Sequence, residues 1–133
     1  MIVAYYCPEP MSAAVQKWLR RQRDPAISDL VEVEMISAIA RKVRDRHMSR
    51  QDARRVATTF TTHLQSGYYV RLPVQRAHYQ LAWDWIGAFD IPIRTLDALH
   101  LAVAHVGGLR LATADLSQSR SARAVGVGVH RLP

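Results

Sequence analysis

The sequence predicts a layered α/β domain with a largely parallel sheet, and three observations predict it. Short stretches of strand character alternate along the chain with segments whose apolar residues recur at helical spacing. At 133 residues and 49% apolar composition, the chain suits one ordinary globular domain that can bury a real core. No internal repeat, low-complexity tract or long linker interrupts it. Strands alternating with helices pack as layers, and function in such sheets sits at the carboxyl ends of the strands.

Each element has its own signal. Ser12 to Arg23 places Val15, Trp18 and Leu19 on one helical face, and Ala26-Ile27-Ser28 is a very short strand. Leu30 to Arg46 repeats the helical pattern with Val31, Met35, Ile39 and Val43. Ser49 followed by Asp52 resembles a capping box and starts a third helix, which runs to about Leu64 before Ser66-Gly67 breaks it. Tyr68 to Leu72 reads as a strand ended by Pro73. Helices follow over Gln75 to Ala88 and about Thr95 to Val106, the latter stopped by Gly107-Gly108. Leu109 to Thr113 alternates apolar and polar residues as a strand does, Leu116 to Val125 is a short helix closed by Gly126, and Val127 to Leu132 is a last strand.

Composition excludes several classes. No apolar run approaches the roughly 20 residues of a bilayer span, and Met1 to Tyr6 has neither the basic start nor the cleavage site of a signal peptide. Cys7 is the single cysteine, so an intramolecular disulfide and a cysteine zinc cluster are both impossible. A cytoplasmic setting is expected. Lys and Arg total 18 against 11 Asp and Glu, a net charge of +7, and 16 of the 18 are Arg. That balance suits a polyanionic partner, nucleic acid above all. A biased genome with solvated guanidinium groups would produce it equally well.

Acids are scarce, so an acid among apolar neighbours needs a reason. Asp24, Asp45, Asp52 and Asp84 lie in polar or helix-end company and read as solvated. Asp97 stands in the first turn of a helix that is apolar all round, on the face of Leu101 and Ala104, which points it inward. Asp115 follows the strand ending at Thr113, where an α/β sheet presents ligands, although an Asp there also caps the next helix. In Val31-Glu32-Val33-Glu34-Met35 the helical wheel cannot choose between the two glutamates. Carboxylates drawn together repel, at ~5 Å and an effective dielectric of about 20 by roughly 3 kcal/mol. A hard divalent cation, Mg²⁺ or Mn²⁺, offsets that repulsion. Acids holding such a metal inside a basic protein suggest phosphodiester hydrolysis.

These residues resemble the PIN-domain family, specifically its VapC-type toxins. The resemblance rests on Tyr6 to Pro10 leading into Val15 to Leu19, Ile27 to Leu30 with Val33-Glu34 and Ser37 to Arg44, Arg94 to Ala102, and Leu111 to Asp115 ending near Gly126. Together they cover nearly the whole length in order, with Thr95 to Ala102 the most specific. The resemblance implies a three-layer α/β/α domain and an Mg²⁺- or Mn²⁺-dependent endoribonuclease, usually a homodimer silenced by an antitoxin protein. It picks Glu34 as the metal-site glutamate and Asp97 and Asp115 as its aspartates; Thr113, beside Asp115, is expected to support them.

One departure follows from the same resemblance. Such proteins open with a strand ending in an Asp and followed by an apolar helix, and Met1 to Tyr6 already matches that helix. The first strand and its Asp are therefore expected to be missing, since no acid precedes Glu9 and its Pro8 to Pro10 loop suits a metal poorly. Three carboxylates in place of four predict a weaker metal site and weak activity. The alternative is a catalytically impaired module that binds RNA or an antitoxin without cleaving.

Among the remaining residues, Arg41, Arg44 and Arg54 belong to a basic stretch that tracks an RNA backbone or merely solvates helix faces. Trp18 is expected in the core. Trp83 and Trp85 project from nearly opposite sides of one helix, so at most one is buried, and His100 and His105 read as packing histidines.

Overall fold

Helices and short strands alternate through residues 1–132, which the computed structural model describes. They fall into two units, Met1–Leu72 and a second that begins at Pro73. Each has its own apolar cluster and its own pair of parallel strands.

In the first unit, α1 (Ile2–Tyr6) and α2 (Ser12–Leu19) are joined by a turn that Ser12 holds. Its Oγ donates to the Cys7 carbonyl at 2.8 Å and accepts from the Glu9 N–H at 2.9 Å. The expected helix from Ser12 to Arg23 stops at Leu19, because the backbone tightens at Arg21 and Gln22 ahead of Pro25, whose ring disfavours helix in the residue before it. Strand β1 (Ala26–Ser28) runs straight into α3 (Asp29–Arg44), with Ser28 ending the one and capping the other. Ser49 starts α4 (Arg50–Gln65) by accepting from the Asp52 N–H at 3.0 Å, as its spacing predicts. The crossover through α3 and α4 returns the chain to β2 (Val70–Leu72), which pairs in parallel with β1, Ile27 opposite Arg71. Leu19, Ile27, Met35, Ile39, Phe60 and Tyr69 form the buried core, with Trp18 packed on its edge.

Tyr68 and Tyr69, expected in the strand, instead anchor α1. Tyr6 Oη lies 2.7 Å from His63 Nδ1 and 2.9 Å from Tyr69 Oη, and Tyr5 Oη lies 3.2 Å from Tyr68 Oη. Burial pushes the Tyr6 and Tyr69 phenols well above the ordinary value and Tyr68 up to about 12. The chain's first helix is thus fastened by hydroxyls to the segment leading into β2.

The second unit contains α5 (Arg76–Gly87), α6 (Thr95–Val106), β3 (Leu111–Thr113), α7 (Leu116–Ala124) and β4 (Val129–Arg131). Strands β3 and β4 pair in parallel, Ala112 opposite His130, with α7 as the crossover. Gly108 and Gly126, at φ +60° and +76°, end α6 and α7 in the left-handed conformation. The N–H groups of Leu109 and Val127 then reach back to the Ala104 and Ala122 carbonyls at 2.8 Å each, turning the chain into the two strands. Leu101, Ala104, Ala122 and Val127 make the buried cluster, and Trp85 packs against it. Trp83 is exposed, so one of the pair is inner, as the wheel implies. His105 is also exposed and meets Trp85 edge to face at 5.6 Å, so it is a surface residue rather than a packed one.

The class is mixed α/β with parallel strands, as expected. Among the described residues the strands pair two by two, β1 with β2 and β3 with β4, rather than in one continuous sheet. No helix among them is long and apolar enough to cross a membrane.

Candidate functional site

Asp115 leaves β3 at its carboxyl end and caps α7. Its Oδ1 accepts from the Gln118 N–H at 3.0 Å, and its own N–H donates to the buried Thr113 Oγ1 at 3.0 Å. Asp97 sits in the first turn of α6, half-buried, ahead of the buried run Leu101 to Ala104. Its Oδ1 accepts from Gln118 Nε2 at 2.8 Å. Gln118 therefore touches both aspartates, by side chain and by backbone. An amide donor between two anions lowers their repulsion without adding a charge.

Gln118 is the residue that sequence reading missed. Its signal was present, because Asp115-Leu116-Ser117-Gln118 has the spacing of a capping box with Gln at the fourth place. That spacing predicts a local bond, whereas the amide reaches a residue 21 positions away.

The first unit carries Glu34, half-buried on α3. Its neighbour Glu32 is committed elsewhere: Arg71 of β2 donates to both its carboxylate oxygens, at 2.6 and 2.8 Å. That hydrogen bond and the carboxylate charge push the Arg71 guanidinium pKa up. Glu9 is likewise engaged, in an ion pair of 2.8 Å with Lys42. Arg41 and Arg44 are exposed in the last turn of α3, where cations complement the helix dipole. Arg54 is exposed on α4, where it lines an open depression of about 690 Å³ with Arg50, Arg55 and Thr58. Arg55 also pairs with Asp52 at 2.9 Å.

Within one unit, then, the structure brings together Asp97, Asp115 and Thr113, while Glu34 and the three arginines belong to the other. Among the described residues no group of three or more His, Cys, Asp or Glu could by itself hold a metal ion. The donor chemistry of the Asp97 and Asp115 pair nonetheless suits Mg²⁺ or Mn²⁺. Each keeps Oδ2 outside the bonds just described, neither has an ion-pair partner among the described residues, and such cations are commonly held by one or two carboxylates plus water and phosphate oxygens.

Parallel strands joined by helices, with acidic side chains at a strand end and at a helix start, define the class as mixed α/β. Comparison with known families makes the assignment specific: the PIN domain profile matches residues 1–124, and the chain belongs to the PIN domain family, whose members are generally nucleases. No curated protein matches the chain.

Proposed function

We propose that this chain is a VapC-type toxin, an endoribonuclease that hydrolyses RNA phosphodiesters with a bound Mg²⁺ or Mn²⁺. The observation that carries the reading is the Asp97 and Asp115 pair, held by Gln118 at the end of β3 in a chain of the PIN family. Asp97 and Asp115 supply oxygen ligands, and the resemblance to PIN proteins assigns Glu34 as the glutamate of the set. Thr113 holds the backbone of Asp115. A bound divalent cation supplies an activated water and stabilises charge on the attacked phosphate. Arg41, Arg44 and Arg54 hold the flanking RNA backbone.

The proposed setting is the cytoplasm, and the proposed partners are a cognate antitoxin and a second copy of the chain. Exposed apolar pairs one turn apart, Val33 with Ile36 and Tyr79 with Trp83, offer surface for such contacts.

A second reading is favoured by one observation. Among the described residues no group of three or more His, Cys, Asp or Glu is placed to hold a metal ion, and the acid Glu9 is taken up by its ion pair with Lys42. On that reading the chain binds RNA or an antitoxin and cleaves weakly or not at all. Mn²⁺ titration with an RNA-cleavage assay separates the two. Mn²⁺-dependent cleavage lost in Asp97→Asn supports the enzyme; RNA or antitoxin binding without metal uptake supports the binding module.

A further inference from the structure

Gln118 stands where an ordinary helix start would use its side chain differently. In a capping box the Gln or Glu at this place folds back onto the N–H of the capping residue. Here that N–H, on Asp115, already donates to Thr113 Oγ1. The Gln118 amide is therefore available for Asp97, and its Nε2 lies 2.8 Å from Asp97 Oδ1. The Gln118 backbone N–H keeps the other half of the cap, 3.0 Å from Asp115 Oδ1. One residue thus fixes one oxygen of each carboxylate through two different donors.

The choice of an amide matters. A lysine here would neutralise Asp97 and compete with an incoming cation, and an aliphatic side chain would leave the carboxylate free to rotate. An amide orients the carboxylate, keeps its full charge and leaves Oδ2 for a ligand. We infer that Gln118 is a positioning residue that sets Asp97 for divalent-cation binding. The inference rests on the reading of Asp97 and Asp115 as metal ligands.

Substitution of the side chain touches only one of the two bonds, because every residue but proline retains the N–H that caps against Asp115. Gln118→Met removes the Asp97 bond at nearly constant length. Gln118→Glu removes the same donor and adds an anion beside Asp97. The test measures Mn²⁺ binding by calorimetric titration, and thermal unfolding with and without Mn²⁺, for the intact chain, both variants and Asp97→Asn.

Gln118→Met is expected to bind Mn²⁺ about tenfold more weakly, the scale found when a ligand loses its supporting hydrogen bond. Gln118→Glu is expected to lower the metal-free Tm and to recover it with Mn²⁺, so that its Mn²⁺-induced rise exceeds that of the unaltered chain. If both variants lose Tm equally with and without Mn²⁺ and keep the affinity, the positioning role is overturned. The metal reading survives that result provided Asp97→Asn abolishes binding. No Mn²⁺ uptake by the unaltered chain, or uptake indifferent to Asp97→Asn, overturns both.

Discussion

Arg71 and Glu32 form a two-pronged ion pair between β2 and α3, with N–O distances of 2.6 and 2.8 Å. The pair ties a strand to the helix that crosses over it, and it bears on the choice between Glu32 and Glu34 that the helical wheel leaves open. A carboxylate that accepts two guanidinium hydrogen bonds is already compensated, so a metal would have to displace Arg71 to use it. Glu32→Gln should lower Tm slightly, by an amount that shrinks as salt rises, and leave Mn²⁺ affinity unchanged. Glu34→Gln should weaken Mn²⁺ binding by at least tenfold. Thermal unfolding and titration check both, and the reverse pattern would move the site to Glu32.

Asp115 has a structural role that can be separated from its proposed chemical one. Asn caps a helix about as well as Asp, whereas Ala does not. Asp115→Asn should therefore hold stability near that of the unaltered chain while reducing Mn²⁺ affinity. Asp115→Ala should lose both, with a stability loss of about 1 kcal/mol from the α7 cap by denaturant unfolding.

The tyrosine network gives a pH signature at the alkaline end. Burial, joined at Tyr68 and Tyr69 by hydroxyl bonding, keeps Tyr6, Tyr68 and Tyr69 protonated in the folded chain past the ordinary value of 10.0. Folded protein then holds these protons more tightly than unfolded chain does. Their contribution to stability is complete below pH 10 and declines as pH rises through about 12, where Tyr68 titrates, and beyond. Absorbance at the tyrosinate band should show these three ionising late and together with unfolding. Tyr6→Phe, which removes two hydroxyl contacts, should make α1 more accessible to hydrogen exchange.

Among the described residues, two other than glycine adopt the left-handed backbone, Arg46 at φ 59° and Phe89 at φ 59°. Phe89 is 91% exposed, so glycine there relieves the conformation while giving up almost no burial. Phe89→Gly should stabilise the chain by up to about 1 kcal/mol, read from the shift of the denaturation midpoint. A loss of stability would mean that the ring makes contacts that its exposure does not suggest.

If Arg44 and Arg54 meet phosphates, the Arg44→Ala, Arg54→Ala double variant should flatten the dependence of log K on log salt by about 2 for double-helical RNA-like contacts, and somewhat less for single strands. An unchanged slope would assign both residues to helix-surface solvation.

Much of the chain could be read before folding. The α6 boundaries at Thr95 and Val106 coincide with the sequence reading, as do β1 and the Ser49 cap. Periodicity, caps and glycine stops act between residues at most a few places apart, so the local sequence contains all the information they need. The overextended elements, α2 beyond Leu19 and β2 before Val70, went the other way for reasons of the same kind and of another. Pro25 limits the helix locally, whereas Tyr68 and Tyr69 were drawn toward Tyr5 and Tyr6, 63 residues earlier.

By itself the sequence determined the order of helices and strands, the basic charge, the exclusion of an intramolecular disulfide and the acids that merited attention. Tertiary structure alone decided how those acids are used: Glu32 with Arg71, Glu9 with Lys42, and Asp97 and Asp115 through Gln118. A polar side chain takes whatever partner packing brings within hydrogen-bond reach, and residues 21 or 39 positions apart come within that reach only when the chain has folded.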